Sequence, residues 1–194
     1  QDLKKHRFDK IFIFNSSFRF NLIAKLSNIE DIYQYPLFKK NNQHITKPAK
    51  TLLQERLGIE IFGNPKIQIS NNLIEKAISK FSINSNELNI LLGIGGSGPT
   101  KRIPSKTFLL VMEKINSLKK CKFFLATGRN EEEQIILNEI MNSKFRDFCI
   151  PLDKLSISET LPIIKNCDVS ICNDTGFSHL SSALGIKTIT LMAD

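Results

Sequence analysis

The sequence predicts an α/β protein built on a parallel sheet covered by helices on both faces. Three observations lead there. From residue 88 onward, short apolar runs alternate with amphipathic segments of helical length. The apolar runs are nearly continuous, as strands buried on both faces require. Their carboxyl ends run into glycine-rich or polar loops, where sheets of this kind bind ligands.

The elements follow in order. Residues 1–9 are polar and lead straight into a strand over 10–15, and 18–26 carry apolar side chains at helical spacing. A turn at Tyr35-Pro36 and a polar loop over 39–44 precede a helix capped by Thr46, with Pro48 in its first turn and Gly58 as its stop. Residues 59–70, holding Gly63, Asn64 and Pro65, read as a linker with an extended piece, and 72–81 as an amphipathic helix. Strand 88–94, a glycine loop, helix 105–118, strand 121–127, helix 131–142, strand 148–151, helix 158–166, strand 169–172, helix 177–184 and strand 188–192 complete the chain. Pro162 is expected in the first turn of its helix, where proline is tolerated.

Composition narrows the classes of function. With 194 residues the chain has material for one large or two small domains. No apolar run reaches transmembrane length and no leader pattern opens the sequence, so neither a span nor a secretory signal is expected. Cys121, Cys149, Cys167 and Cys172 lack any Cys-x-x-Cys or Cys/His ligand spacing, which predicts reduced, buried thiols in a cytosolic protein. Cys167 and Cys172 flank one short strand at an odd separation and are expected on opposite faces. The net charge is +8, and residues 1–50 hold ten Lys/Arg against four Asp/Glu. Part of this reflects a general abundance of lysine. The basic segment points to an anionic partner, which is not expected to be nucleic acid.

Two segments carry chemistry. Residues 171–185 read Ile-Cys-Asn-Asp-Thr-Gly-Phe-Ser-His-Leu-Ser-Ser-Ala-Leu-Gly: a strand end, a polar turn and a short helix closed by Gly185. Asp174 or Thr175 caps the helix, Gly176 lets a ligand approach the backbone, and the free amides suit a phosphate. His179 is expected to reach the same mouth from the first turn, with Leu180 and Leu184 packing inward. A capped β–α junction without a ligand is the plain alternative.

The second segment, residues 93–104, reads Gly-Ile-Gly-Gly-Ser-Gly-Pro-Thr-Lys-Arg-Ile-Pro. It contains Gly-x-Gly-x-x-Gly at Gly93, Gly95 and Gly98, the fingerprint of an NAD(P)-binding oxidoreductase. However, Pro99 and Pro104 delay the helix, and the next strand ends Ala126-Thr127-Gly128-Arg129 without the acidic residue. A P-loop fails because Pro99 stands where lysine is required. The third reading gives the chemistry to Ser97, Thr100, Lys101 and Arg102, with Gly96 beside them. Glycine amides and hydroxyls meet phosphates and Lys101 supplies the positive charge, while Arg102 is the more solvated of the basic pair. A glycine turn with solvated basic residues is the plain alternative.

These two segments resemble glycosyltransferase family 9, the bacterial ADP-heptose:lipopolysaccharide heptosyltransferases. Residues 96–104 match its Gly-small-x-x-x-Lys-x-[aromatic/apolar]-Pro loop, with Ile103 where many members carry an aromatic. Residues 173–185 match Asn-Asp-[Ser/Thr]-Gly-x-x-His-x-x-[small]-Ala-Leu-Gly. The strand–helix over 10–26, the run Tyr35-Pro36-Leu37-Phe38 and His44 resemble the end of the family's N-terminal domain.

The resemblance implies the GT-B type, two Rossmann-like domains with the N-terminal one partial. Residues 1–62 would be the rear of the acceptor-side domain, 63–87 an interdomain linker and helix, and 88–194 a truncated donor domain. It implies an internal fragment, inactive by itself, whose general base lies outside the chain. The reaction implied is an inverting transfer of heptose from ADP-heptose to the lipopolysaccharide inner core, with no metal and no other cofactor. In it Lys101, Asp174 and His179 hold the leaving group, Ser97 and Thr175 bind phosphate oxygens, and Glu131 or Glu132 meets the ribose. A cytoplasmic location follows, with peripheral contact at the inner membrane and an anionic lipopolysaccharide acceptor. A non-catalytic nucleotide-binding remnant stands beside the oxidoreductase as an alternative.

Overall fold

The computed structural model describes residues 2–37, 46–96 and 98–192, and the chain divides into two compact units, Gln1–Gly63 and Asn64–Asp194. Phe38, His44 and Ser97, each singled out by the sequence, lie outside the described residues.

The first unit contains α1 (Asp2–His6), β1 (Lys10–Ile13), α2 (Phe18–Leu26), β2 (Asp31–Gln34) and α3 (Thr46–Leu57). β1 and β2 pair in parallel, Lys10 opposite Asp31 and Ile13 opposite Gln34. The strand β2 escapes sequence reading because Asp-Ile-Tyr-Gln is short, and all four residues end half-buried. Cross-strand pairs hold it: the Phe12 and Tyr33 rings lie 5.0 Å apart, and Lys10 Nζ is 3.5 Å from Asp31. The polar start of the chain forms the short α1, to which the sequence reading assigns no element. The buried core of this unit is Ile13, Ala24 and Ile29, with Ile11 and Ile32 against it. α2 buries only Ala24.

The second unit contains α4 (Asn71–Phe81), β3 (Leu88–Gly93), α5 (Ser105–Asn116), β4 (Cys121–Ala126), α6 (Glu131–Met141), β5 (Cys149–Pro151), α7 (Ile157–Lys165), β6 (Val169–Asn173), α8 (Gly176–Ala183) and β7 (Lys187–Leu191). Its sheet is parallel throughout, in the order β5-β4-β3-β6-β7. The period of two along the strands sorts the core into two layers. Ile90, Leu92, Phe123 and Leu125 meet Phe108 and Met112 of α5 and Leu137 and Ile140 of α6 on one face. Leu91, Phe124 and Ala126 meet Ala77 of α4, Ile163 and Ile164 of α7 and Leu184 on the other. At the edges, β5 is three residues long and ends in Pro151, whereas β7 exposes Lys187, Ile189 and Leu191 alternately.

Three expectations change. The segment 63–87, expected as an interdomain linker and helix, forms that helix as α4 but belongs with the second unit. Ile67 N–H donates to Ala183 O at 2.9 Å, Ala77 is part of the second core, and the two units divide after Gly63. Pro162 sits in the second turn of α7; the carbonyl its missing N–H leaves free belongs to Ser158, which is exposed. Cys167 and Cys172 lie in the same apolar layer, because Cys167 precedes β6, in the turn after α7, and the strand alternation does not reach it. All four thiols are free and buried, and desolvation pushes Cys149 up to about 12 and Cys172 to about 11. Among the described residues no helix is long and apolar enough to cross a membrane.

Candidate functional site

The sheet order reverses between the central strand β3 and its neighbour β6, and Gly93 pairs there with Cys172. In open α/β sheets ligands occupy the crevice outside the carboxyl ends of the strands at such a point. Both segments singled out by the sequence meet at it.

The turn after β6 is built by capping. Thr175 is the N-cap of α8, its hydroxyl oxygen accepting the Phe177 N–H at 3.1 Å, and its hydroxyl proton stays free to donate. At the far end, Gly185 takes φ +80°, and Ile186 N–H donates to Ser181 O while Gly185 N–H donates to Ser182 O, closing the helix as a Schellman turn. The positive end of α8 therefore faces the crevice.

The glycine loop after β3 is clasped from both sides. Asn173, fully buried at the end of β6, donates through Nδ2 to Ile94 O (3.0 Å) and Gly95 O (3.2 Å), and its Oδ1 accepts the Ile103 N–H at 3.4 Å. Glu133 in the first turn of α6 is buried, and its Oε1 accepts the Gly96 N–H at 2.6 Å. Its other oxygen accepts Asn130 Nδ2 at 2.7 Å, while Asn130 caps the helix by accepting the Glu133 N–H. A Cβ on Gly95 would stand 2.5 Å from Glu133 Oε1, so any larger residue there would force the carboxylate to shift from the loop. Between the two clasps, a 3₁₀ turn at Pro99–Lys101 carries Lys101 Nζ to 2.5 Å from Asp174 Oδ2.

A partly open cavity of ≈ 270 Å³ occupies the crevice, slightly below the common range of ligand pockets, about 300–1,000 Å³. Gly95, Gly96, Gly128 and Glu133 line one end, and Asp174, Thr175 and Gly176 the other. Ile157, Phe177 and Leu180 supply its apolar wall. The two ends differ in charge: a buried carboxylate at one, a helix N-terminus beside an ion pair at the other.

Of the residues predicted from sequence, the structure brings Gly96, Asp174, Thr175 and Gly176 to the cavity, with Lys101 joined through Asp174. It leaves others outside. Thr100 is exposed in the 3₁₀ turn, and Glu131 is exposed at the start of α6. His179 is exposed and does not line the cavity. Leu180 lines the cavity instead of packing into the core. Glu132 is spent on an ion pair with Arg102, whose side chain is 11% exposed and also donates to Gly96 O at 3.4 Å. Arg102 is thus part of the loop's support rather than solvated.

Two residues were missed. Glu133 follows Asn130 by three, the spacing of a helix cap, and that signal could have placed it ahead of Glu131. Asn173 stood inside the motif without a role. The Gly96 amide is also not free to cradle a phosphate, since Glu133 holds it.

A parallel sheet wound in this order, with its crevice between a glycine loop and a capped helix, defines a Rossmann-like ligand-binding domain. The family model for glycosyltransferase family 9 (heptosyltransferase) matches residues 32–194, and the chain belongs to that family. Lipopolysaccharide heptosyltransferase 1 of Campylobacter coli is 28% identical over 132 residues, which are 67% of this chain and 39% of that protein. Among solved structures, the ADP-heptose lps heptosyltransferase II of E. coli superposes with a TM-score of 0.75 at 17% identity, over 97% of this chain and 64% of that one. The E. coli heptosyltransferase WaaC, solved with ADP, gives a TM-score of 0.68 at 13% identity, over 97% and 62%. The chain thus spans less than two thirds of the length of each of these relatives. These folds are of the GT-B type. The oxidoreductase alternative has no support: α5 starts only at Ser105, well past Gly98, and the family is a transferase family.

Proposed function

We propose that the second unit binds the donor of an inverting heptosyl transfer, ADP-heptose, and that the acceptor is an inner-core sugar of lipopolysaccharide. The observation that carries this reading is the Lys101–Asp174 pair set beside the N-terminus of α8 at the reversal of the sheet. A diphosphate there takes the ammonium from Asp174, the Thr175 hydroxyl proton and the positive end of α8. The adenosine then lies toward Glu133, whose carboxylate accepts hydroxyl protons and repels phosphate, so the charge of the cavity sets the ligand's direction. The structure named for WaaC with ADP supports the choice of nucleotide. His179, on the open side of α8, would meet the parts of the donor that extend beyond the cavity.

In the transfer, an acceptor hydroxyl oxygen bonds to the anomeric carbon as the bond from that carbon to the diphosphate oxygen breaks. The electron pair leaves with ADP, and the hydroxyl proton passes to a base on the acceptor side. Lys101 and the helix end stabilise the charge that develops on the leaving diphosphate, the role a divalent metal would otherwise take. The excess of lysine and arginine over residues 1–50 suits an anionic lipopolysaccharide acceptor and peripheral contact with the cytoplasmic face of the inner membrane. Isothermal titration of the 194-residue chain with ADP and with NAD tests the reading. The expected result is tighter binding of ADP, unchanged by chelator; tighter NAD, or ADP binding lost on chelation, overturns it.

A further inference from the structure

We propose that Asn173 is a positioning residue that sets the reach of Lys101 toward the diphosphate, although it touches no ligand itself; the proposal rests on the donor reading above. Its amide closes a ring. Two donated hydrogen bonds hold Ile94 O and Gly95 O where the loop leaves β3, and one accepted bond holds the Ile103 N–H where the loop returns. The residues that close between these points include Lys101. Asn173 is also the residue before Asp174, so one backbone step fixes the lysine's carboxylate partner and the clasp on the lysine's loop.

The chemistry of an amide is needed here. The site offers two carbonyls and one N–H to a single fully buried side chain, and only Asn or Gln presents donors and an acceptor together. An aspartate would set a charge against two carbonyls, and a leucine of similar volume would leave all three backbone groups unsatisfied in a dry interior. Glu133 anchors the loop from the other flank through Gly96, and Arg102 ties its side chain to Glu132 and Gly96 O. Losing Asn173 therefore frees the backbone where the loop returns at Ile103 rather than the whole loop. Lys101 then samples positions away from Asp174, and the diphosphate loses its fixed cation while the adenosine end of the cavity keeps its wall.

The test is a double-mutant cycle in the 194-residue chain. ADP and adenosine affinities are measured by titration for wild type, Asn173→Leu, Lys101→Ala and the double variant. Asn173→Ser replaces Asn173→Leu should the latter not fold, and thermal unfolding is recorded for each. We expect Asn173→Leu to weaken ADP by roughly tenfold, the size of one charge-assisted hydrogen bond, with adenosine changed far less. In the Lys101→Ala background the same substitution should weaken ADP little further. Hydrogen exchange should rise at Lys101 and Ile103 but not along β3 and β6. A merely structural role predicts equal losses for ADP and adenosine, or losses that add to those of Lys101→Ala, and either result overturns the proposal. Wild-type chain that fails to bind ADP overturns the donor reading and this inference with it.

Discussion

Lys101→Ala weakens ADP binding by ~10- to 150-fold and leaves adenosine binding nearly unchanged. The expectation follows from what the lysine does in each state. Without ligand, Lys101 Nζ pairs with Asp174 at 2.5 Å, and both side chains keep contact with water, 39% and 21% exposed. Such partly exposed pairs contribute little to stability, so the substitution costs the fold little. With a diphosphate bound, the same ammonium gains a second anionic partner in a crevice that excludes part of the solvent. A hydrogen bond to a charged group is then worth about 1.5–3 kcal/mol, which is the stated fold-change. Adenosine carries no phosphate and loses nothing. Parallel titrations of both ligands against wild type and variant decide the matter; equal losses for the two ligands would place Lys101 away from the phosphates.

Glu133→Ala lowers the unfolding free energy by about 1–3 kcal/mol, because it strands the Gly96 N–H in a buried position and removes the partner of Asn130 Nδ2. Glu133→Gln keeps an oxygen for one of these donors and should fall between alanine and wild type. Urea unfolding of the three proteins measures both values. The glycines report on the same contact: Gly95→Ala should destabilise the wild-type chain, where its methyl meets the carboxylate, and cost less beside Glu133→Ala. A stable Glu133→Ala protein with an unshifted urea midpoint would show that the carboxylate does not hold the loop.

Much of the second unit is legible from residues 88–192, because its strands are buried on both faces and its helices alternate with them at short, regular intervals. The site is legible in outline for the same reason: a loop after β3 and a turn after β6 must share one rim. What sequence reading lacked was orientation. Whether Glu131, Glu132 or Glu133 enters the crevice depends on where Asn130 starts α6, and whether His179 or Leu180 lines the cavity depends on the phase of a helix that starts at Gly176. Arg102 illustrates the converse. Nothing in its neighbours announces that Glu132 waits on another element. The first unit was less readable because its elements are short and its core small, so tertiary pairing rather than pattern decides β2.

The two edges of the five-stranded sheet differ in how they resist self-association. β5 is short and ends in proline, which offers an incoming strand few ladder positions and no donor at Pro151. β7 runs Lys-Thr-Ile-Thr-Leu, rich in β-branched residues, and among the described residues no strand pairs with its outer edge. Its single charge is at its head, and Ile189 and Leu191 stand exposed beyond it. Of these two edges, concentrated solutions of the chain will therefore aggregate through β7 before β5, and a charge introduced at Ile189 would act as a gatekeeper.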